Sequence, residues 1–424
     1  MTNTENQEIL QLLNHWWKNG SVSQDLAKPY KRKKLYERLQ ELSKQRQIVI
    51  LTGLRRVGKS TLLYQLLDSL LKSHDPLHIC YFSFDKHVEK LTEIFETYAE
   101  LTKVDYKREK VFFFLDEITK LADWANQLKI FYDALPHLKF YLSSSSSIHL
   151  EDEAIKILAG RYFIVNVEPL TFSEYLDLGS KQDYKKKESL YRKELDKEFQ
   201  RYLLRNFPET LAMQDDLLVK DYLRTTIIDK IIKSDLPDKF RNVNRDLLTT
   251  LIELIYKEPG IYLDYDSLSK NLKVSKKTLI RHFLYLESSY LIRKIKNFRP
   301  SSFAVSRKLQ RAYPYWWTLA YCFSDNEDKI KENAVGSIIG AIYYWRESGK
   351  EIDFLTLEHK NLLPIEVKNK EWIEKSDCEN MRYFRSKYKS KEGVIVYKGK
   401  DASKGDGLHI IPFWKFFLDF SDVI

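Results

Sequence analysis

The stretch Gly53-Leu-Arg-Arg-Val-Gly-Lys-Ser60 has the spacing G-x-x-x-x-G-K-[ST]. It follows the apolar run at residues 48–51 and precedes a helical pattern of apolar residues at 62–71. In a turn between a strand and a helix, backbone N–H groups and the positive end of the helix dipole face phosphate oxygens. The sequence therefore predicts a phosphate-binding loop within an α/β fold.

Two side chains of this loop have the chemistry to hold a nucleoside triphosphate. The Lys59 ammonium can reach the β- and γ-phosphates, and the Ser60 hydroxyl can ligate Mg²⁺. The remaining contacts are expected from loop amides and flanking side chains. The predicted nucleotide-binding residues are Gly53, Arg55, Arg56, Val57, Gly58, Lys59, Ser60 and Thr61.

A second motif ends the apolar run at residues 111–115, where Asp116 and Glu117 follow. Such a run suits a parallel strand covered on both faces, and ligands bind at the carboxyl ends of these strands. Asp116 is then expected to hold the Mg²⁺ shell through water, and Glu117 to orient and deprotonate the attacking water. The simpler interpretation is that both carboxylates begin a surface helix. The upstream loop favours nucleotide hydrolysis.

The composition of the 424-residue chain, with 43% hydrophobic residues, is enough for two to three domains with ordinary cores. It shows no bilayer-spanning apolar run, no secretion signal and no metal or disulfide spacing among its three cysteines. We therefore expect a cytoplasmic protein without membrane contact. The net charge of +10 favours an anionic partner, with nucleic acid the obvious candidate. A lysine-rich composition of mixed-sign charge is the alternative explanation.

Strand-like runs alternate with helical patterns at residues 48–51, 79–84, 111–115, 139–142 and 162–167. This alternation predicts a doubly wound parallel sheet. Changes in pattern, together with prolines, suggest further boundaries. We predict a helical lead-in at 1–30, a P-loop core at 31–170, a helical subdomain at 171–243, a winged helix at 244–300 and an α/β domain at 301–424.

The pattern at residues 244–298 is a helix, a helix-turn-helix and a strand, which is the plan of a winged helix. Two interpretations stay open: the module contacts DNA, or it only packs between neighbouring domains. DNA contact would use basic side chains on or near the exposed face of the recognition helix and on the wing. These are Lys276, Lys277, Arg281 and His282 on the helix, and Lys294, Lys296 and Arg299 on the wing.

The last region predicts a helix at residues 330–346, strands at 351–357, 363–367 and 393–397, and a helix at 376–388. This order places Asp353, Glu366 and Lys368 at the ends of adjacent strands. Two carboxylates can hold Mg²⁺ against a phosphodiester while the lysine positions or activates water, and Glu332 is a candidate further ligand. The alternatives are a solvated strand with harmless charges, or a nuclease fold that only binds or packs.

Four segments of the chain resemble the prokaryotic AAA-type ATPases that carry a C-terminal DUF4143 region: residues 52–61, 111–118, 159–161 and 169–175. The double arginine of the loop and the serines at 143–147 are also typical of that family. The resemblance implies a P-loop ATPase core with a helical subdomain, then a winged helix and a PD-(D/E)xK, restriction-endonuclease-like domain. It also implies ATP and Mg²⁺ as cofactors.

The resemblance assigns roles to two further positions. Ser143 or Ser144 is similar to the sensor that contacts the γ-phosphate or the attacking water. Arg161 is similar to an arginine that senses phosphate in its own subunit or in a neighbouring subunit of a homo-oligomer, and a structural ion pair is the alternative. The chain departs from the family where two glycines are common, at Arg205-Asn206, and in lacking an aspartate after the wing, near Tyr313-Pro-Tyr-Trp-Trp317.

The resulting hypothesis is a Mg²⁺-dependent ATPase that couples hydrolysis to a conformational change on DNA. Its catalytic residues are predicted to be Glu117, Lys59, Arg161 and Ser144. Two alternatives stay open. One is an ATP-gated, metal-dependent nuclease, and the other is an ATP-binding regulatory or interaction protein whose nuclease-like domain is inactive.

Overall fold

The computed structural model of the protein describes residues 3–85, 88–145, 156–300, 309–358 and 361–420. The chain divides into two units, Met1–Pro169 and Leu170–Ile424. The first unit is an α/β domain that contains the phosphate-binding loop. The second unit begins with helices and continues into a mixed sheet.

Five parallel strands form the sheet of the first unit: β1 Ile48–Thr52, β2 Ile79–Ser83, β3 Phe112–Asp116, β4 Lys139–Ser144 and β5 Tyr162–Asn166. Their order is β2-β3-β4-β1-β5, so β4 lies between the strand before the loop and the strand before the acidic motif. This sheet confirms the predicted α/β fold. The helices of the unit are Asn3–Leu13, Trp16–Asn19, Gln24–Ala27, Lys33–Ser43, Lys59–Leu71, Leu91–Thr102 and Trp124–Ala134.

An aromatic core fixes the position of these strands. Every residue of β1 and β3 is buried, as expected for parallel strands covered on both faces. On one face, Ile50 and Phe113 share a core with the helix Leu91–Thr102, whose Phe95 stacks on Phe113 with ring centroids 4.1 Å apart. Burying one such side chain stabilises the fold by about 1.5–3 kcal/mol. The strand ends that carry the site therefore rest on a rigid core.

The second unit begins with a run of helices. A capping box formed by Thr171 and Glu174 begins the first of them, because each satisfies a backbone N–H of the other. The helix that starts at Asp216 continues through π-helical turns to Lys239. The helices of this part are Phe172–Leu178, Gln182–Lys186, Arg192–Leu204, Asp216–Leu223 and Leu236–Lys239.

In the next part, the described residues form three helices and three short strands. The helices are Arg245–Lys257, Tyr265–Asn271 and Lys276–Ser288, and the strands are β6 Ile261–Leu263, β7 Ile292–Asn297 and β8 Gln310–Pro314. Strand β8 pairs antiparallel with both β6 and β7. The element order agrees with the predicted plan, while the assignment to the winged-helix class stays a prediction.

The C-terminal part adds strands to the same sheet, whose order is β13-β14-β12-β11-β10-β9-β7-β8-β6. Strands β7 and β9 pair in parallel, with Lys296 opposite Tyr343, so the sheet continues across the predicted boundary at residue 300. The new strands are β9 Tyr343–Glu347, β10 Lys350–Glu358, β11 Asn361–Lys368, β12 Gly393–Tyr397, β13 Ser403–Gly405 and β14 Leu408–Pro412. The helices are Glu327–Ile338, Glu379–Tyr388 and Phe413–Phe420.

The helix predicted at residues 330–346 is wrong in its second half. The helix ends at Ile338, and β9 occupies Tyr343–Glu347. Gly340 has a φ of +59°, a left-handed conformation that ends a helix at little steric cost for glycine. The apolar residues that follow, including the fully buried Trp345, pack from a strand instead.

Candidate functional site

The phosphate-binding loop connects the end of β1 with the helix Lys59–Leu71. Gly53 and Gly58 have φ values of +142° and +94°, which favour glycine. A Cβ atom on Gly53 would collide with the Val167 carbonyl oxygen. Of the other loop residues, Val57 is buried, whereas Arg56 is exposed. The two glycines therefore allow a turn that a side chain would block.

Lys59 is buried at the start of its helix. Its ammonium donates hydrogen bonds to the carbonyl oxygens of Gly53 at 3.0 Å and of Leu54 at 2.7 Å. Burial lowers the pKa of Lys59, and the nearby carboxylates of Glu117 and Asp116 oppose this shift. A cation in such surroundings interacts strongly with added negative charge, because little water screens it.

Asp116 is the centre of a hydroxyl cluster. It is buried at the carboxyl end of β3, and its Oδ2 accepts hydrogen bonds from the Ser60 hydroxyl at 2.7 Å and the Tyr81 hydroxyl at 2.7 Å. Its Oδ1 accepts from the Ser143 hydroxyl. Ser60 and Asp116, which the sequence places far apart, are thus in direct contact. Their oxygen atoms are the donors that Mg²⁺ prefers.

Glu117 is held by the neighbouring strand. Its backbone N–H donates to the Ser143 hydroxyl oxygen at 3.0 Å. Its Oε2 accepts from the N–H and the hydroxyl of Ser145, at 3.2 and 3.0 Å. The predicted metal-shell and base residues therefore lie side by side, each with its carboxylate oriented by serine hydroxyls.

Ser144, predicted to be catalytic, contacts a different residue from those that Ser143 and Ser145 contact, and its catalytic role stays a prediction. The Ser144 side chain is fully buried and its hydroxyl lies 2.9 Å from that of Thr119. Ser143 and Ser145 instead contact Asp116 and Glu117. The run of serines that begins at the end of β4 was the sequence signal for these contacts. Residues 146 and 147 of this run lie outside the described residues. Tyr81 belongs to no motif and was missed.

Arg161, at the start of β5, forms a two-point ion pair with Asp133 of the helix Trp124–Ala134. The Nε–Oδ1 and Nη2–Oδ2 distances are 2.8 and 3.1 Å. This hydrogen bonding lowers the pKa of Asp133. The contact agrees with the structural ion-pair interpretation, and phosphate sensing by Arg161 stays a prediction.

Asp353, Glu366 and Lys368 come together in the second unit, because β10 and β11 are antiparallel neighbours. The Lys368 ammonium donates to Glu366 Oε1 at 2.7 Å, and the Val367 N–H donates to Asp353 Oδ2 at 2.9 Å. Burial raises the pKa of Asp353 and of Glu366, and the proximity of Glu366 raises that of Asp353 further. Lys368 thus pairs with Glu366, while Asp353 accepts from the backbone.

Glu332, predicted as a further metal ligand, is occupied by other side chains. Its carboxylate accepts from Arg311 at 2.7 Å, from the Tyr313 hydroxyl at 2.6 Å and from Lys329 at 3.0 Å. Although burial opposes ionisation, Arg311 and Lys329 lower its pKa. In the part of the chain that the structure describes, no three His, Cys, Asp or Glu side chains converge as a metal-binding group.

The basic residues predicted for DNA contact differ in exposure. Lys276, Lys277, Arg281 and Lys296 are exposed, whereas Lys294 is half-buried and pairs with Glu287 at 2.5 Å. Arg299 is partly buried and donates to the Arg346 carbonyl at 2.6 Å.

His282 was wrongly predicted near the exposed face of this helix. It is 1% exposed. Its Nε2 accepts the Asn244 N–H at 3.0 Å, and its Nδ1 lies 2.8 Å from the Thr278 carbonyl. The helical period places His282 beside the buried Phe283 and Leu279, so the ring joins the core and bonds to backbone.

Three family descriptions match separate parts of the chain: "AAA domain" at residues 45–176, "Domain of unknown function (DUF8612)" at 196–316 and "Domain of unknown function (DUF4143)" at 329–416. These matches confirm the predicted combination of an AAA-type ATPase domain with a DUF4143 region. They support nucleotide binding and hydrolysis by the first unit. Among the described helices, none has the length and hydropathy to cross a bilayer.

Similar proteins include three that are described as uncharacterized. One from Methanocaldococcus jannaschii is 25% identical over 88% of each chain, and a second from that organism is 28% identical over 59% of this chain and 57% of its own. One from Haemophilus influenzae is 24% identical over 86% of this chain and 92% of its own. Among solved structures, a Walker-type ATPase of Pyrococcus abyssi is 18% identical, with a TM-score of 0.44 over 69% of this chain and 95% of its own.

Proposed function

We propose that this protein is a Mg²⁺-dependent ATPase that couples ATP hydrolysis to a conformational change and acts on DNA. The proposal of ATP hydrolysis rests on a single observation, the hydrogen bond from Ser60 to Asp116 next to Glu117. This contact lies where the phosphate-binding loop meets the helix that begins at Lys59. The AAA-type match over residues 45–176 supports the choice of ATP.

Each residue of the site has a distinct part in the proposed reaction. Loop N–H groups and Lys59 bind the phosphates, and Ser60 and Asp116 would hold Mg²⁺, which supplies charge neutralisation between the phosphates when bound. Glu117 accepts the proton of the attacking water, and Ser145 fixes the orientation of the accepting carboxylate. Ser143 connects the two acidic residues, because it contacts both.

The test of hydrolysis is Glu117→Gln, which keeps the size of the side chain and removes the base. We expect turnover to fall by about 100-fold or more, with ATP affinity retained. Glu109→Gln is the matched control, since Glu109 is exposed and its Oε2 lies 3.2 Å from His78 Nε2. Wild-type turnover in Glu117→Gln would contradict the proposed role of Glu117, and wild-type protein that binds but never hydrolyses ATP would contradict the ATPase assignment.

The DNA part rests on the exposed basic side chains of the helix Lys276–Ser288. We expect Lys277→Ala combined with Arg281→Ala to weaken DNA binding and to lower the slope of log affinity against log salt by about 1 per lost phosphate contact. Lys193→Ala with Lys197→Ala removes the same charge from another exposed helix surface. Equal losses in both double variants would show that net charge alone, and not this helix, binds DNA.

The contacts around Asp353, Glu366 and Glu332 favour the hypothesis that the C-terminal domain binds or packs and does not cleave nucleic acid. Glu332 and Glu366 are each paired with side-chain cations, which reduces what they can offer to a metal. Incubation of plasmid DNA with Mg²⁺ or Mn²⁺ tests this. Cleavage by the wild type that requires ATP and disappears in Asp353→Ala would establish the ATP-gated nuclease instead.

A further inference from the structure

A buried tyrosine connects the edge of the first sheet to the acidic motif. Tyr81 lies on β2, the edge strand, and its hydroxyl donates to Asp116 Oδ2 at 2.7 Å. Ser60 donates to the same oxygen atom. The Tyr81 side chain is 3% exposed and stacks on Tyr64 with ring centroids 4.5 Å apart. The position of the phenol is therefore fixed by packing as well as by its hydrogen bond.

The N-terminal segment holds the backbone of the same tyrosine. Asn14 Nδ2 donates to the Tyr81 carbonyl at 2.8 Å, and the Tyr81 N–H donates to Asn14 Oδ1 at 2.7 Å. One amide side chain thus satisfies both the N–H and the carbonyl of Tyr81 on an edge strand. The indole N–H groups of Trp16 and Trp17 both donate to the Ile79 carbonyl, at 3.0 and 2.9 Å. Side chains of the N-terminal segment therefore hydrogen-bond to the backbone of β2 at two positions, Ile79 and Tyr81.

From these contacts we infer that Tyr81, held in place by Asn14, is a positioning residue for the metal-shell carboxylate of Asp116. The inference rests on the proposed ATPase function. A carboxylate whose two oxygens both accept from fixed donors cannot rotate freely, and here Oδ2 receives Ser60 and Tyr81 while Oδ1 receives Ser143. If Ser60 turned toward a bound metal ion, Tyr81 would still donate to Oδ2.

The phenol suits this role because its neutral hydroxyl donates directly to Asp116 Oδ2. A neutral donor also leaves the negative charge of the carboxylate available to a cation, which a lysine at this place would cancel.

The decisive variant is Tyr81→Phe, which keeps the ring and its stacking on Tyr64. The affinity for a fluorescent ATP analogue is measured by titration in EDTA and over a series of Mg²⁺ concentrations. We expect the Mg²⁺ concentration that gives half of the full Mg²⁺ effect on nucleotide affinity to rise about tenfold, as for a lost hydrogen bond to a charged group. The affinity in EDTA should stay unchanged. The Mg²⁺ dependence of hydrolysis should shift in parallel.

Tyr98→Phe is the matched control. Tyr98 is also a buried tyrosine of the first unit, and its hydroxyl donates to the Leu77 carbonyl at 2.6 Å. The loss of this bond should lower the Tm without changing the Mg²⁺ concentration at half-effect. A shift of equal size in Tyr98→Phe would mean that general destabilisation, and not positioning of Asp116, causes the effect, and would overturn the inference.

The contribution of the N-terminal segment is tested by Asn14→Ala, with Asn6→Ala of the preceding helix as the control. Both asparagines are buried, at 1% and 3% exposure. We expect Asn14→Ala to shift the Mg²⁺ dependence by about threefold in the same direction, and Asn6→Ala not to shift it. Because Asn14 acts through Tyr81, the double variant should match Tyr81→Phe alone.

The outcomes separate this inference from the function on which it rests. An unchanged Mg²⁺ dependence in folded Tyr81→Phe overturns the role of Tyr81, and an unshifted Asn14→Ala overturns the role of Asn14. Absence of ATP hydrolysis by the wild type overturns the proposed function, while the Mg²⁺-linked nucleotide affinity still decides the role of Tyr81. A wild-type affinity that does not respond to Mg²⁺ overturns both.

Discussion

Glu117 has a backbone conformation that is uncommon outside glycine, with a φ of +53°. Such a conformation costs on the order of 1–3 kcal/mol and persists where surrounding contacts hold it. Here the Glu117 N–H bonds to Ser143 and its carboxylate bonds to Ser145. Two serines at the end of β4 therefore keep the proposed base in a strained position next to Asp116.

The neighbouring residues Ser143 and Ser144 provide a test at the scale of single side chains. Successive residues of a strand point to opposite faces; the Ser143 hydroxyl contacts Asp116, and that of Ser144 contacts Thr119. We expect Ser143→Ala to lower kcat by about tenfold or more, as for a lost charge-assisted hydrogen bond. Ser144→Ala should lower the Tm with little effect on kcat. Steady-state kinetics at saturating Mg²⁺ would contradict this if Ser144→Ala lowered kcat and Ser143→Ala did not.

Contacts between whole elements place the site within the first sheet. The loop after β1 packs against the chain that leaves β5, where Gly53 approaches Val167. Arg32 strengthens this region by donating to the Glu168 carbonyl at 2.7 Å and the Pro169 carbonyl at 3.1 Å. The Arg161–Asp133 pair then joins β5 to the helix Trp124–Ala134. The shape of the loop therefore depends on a strand more than 100 residues away in sequence.

The Arg161–Asp133 pair predicts a pH dependence of stability. Hydrogen bonding from Arg161 lowers the folded-state pKa of Asp133 below its unfolded value, so the stabilisation is complete above the unfolded pKa and is lost as pH falls through the folded one. Asp133→Asn should lower the free energy of unfolding at pH 7, and the difference from wild type should shrink below about pH 4. Urea unfolding at pH 7, 5 and 3 measures this.

Arg161→Gln separates the two interpretations of this arginine. A structural pair predicts lower stability with wild-type kcat, and a double-mutant cycle with Asp133→Asn that shows coupling. Retained stability with a lost response of turnover to ATP would instead establish phosphate sensing by Arg161.

The whole molecule consists of two units with separate cores. In the second, β7 and β9 join the predicted wing and the C-terminal strands into one nine-stranded sheet, so these two parts share backbone hydrogen bonds. Asn206 connects the helical part of this unit to the chain after β8, because its side-chain oxygen accepts a hydrogen bond from the Trp316 indole at 3.0 Å. The family that the sequence resembles commonly has glycine at this position. We expect the second unit to unfold as one body.

Calorimetry provides the test at this scale. We expect two thermal transitions, and a non-hydrolysable ATP analogue with Mg²⁺ at 100 times its Kd should stabilise only the transition of the first unit, by about 2.7 kcal/mol. Trp345→Phe, which alters a buried residue of the second unit, should lower only the other transition. A single transition that nucleotide shifts as a whole would contradict the independence of the two units.

Local spacing was sufficient to predict the loop, the acidic motif and the strands of the first sheet. Phosphate binding by consecutive N–H groups and the burial of a parallel strand are properties of short segments, so both leave a readable pattern. The same reasoning placed Asp353 near Glu366, because adjacent strands bring such residues together. The helix predicted at 330–346 was wrong beyond Ile338, because the left-handed conformation of Gly340 cannot be predicted from the apolar periodicity.

The contacts that orient the side chains of the site come from residues distant in sequence, and no sequence motif predicts them. Tyr81 reaches Asp116 only because β2 and β3 are neighbours, and Asn14 reaches Tyr81 only because β2 is the edge strand. Glu332 likewise meets Arg311 of β8 through packing, whereas the burial of His282 follows from the period of its own helix. Which hydroxyl or cation completes a buried carboxylate depends on the packing of whole elements, and that packing follows from the sum of many weak apolar contacts rather than from any one of them.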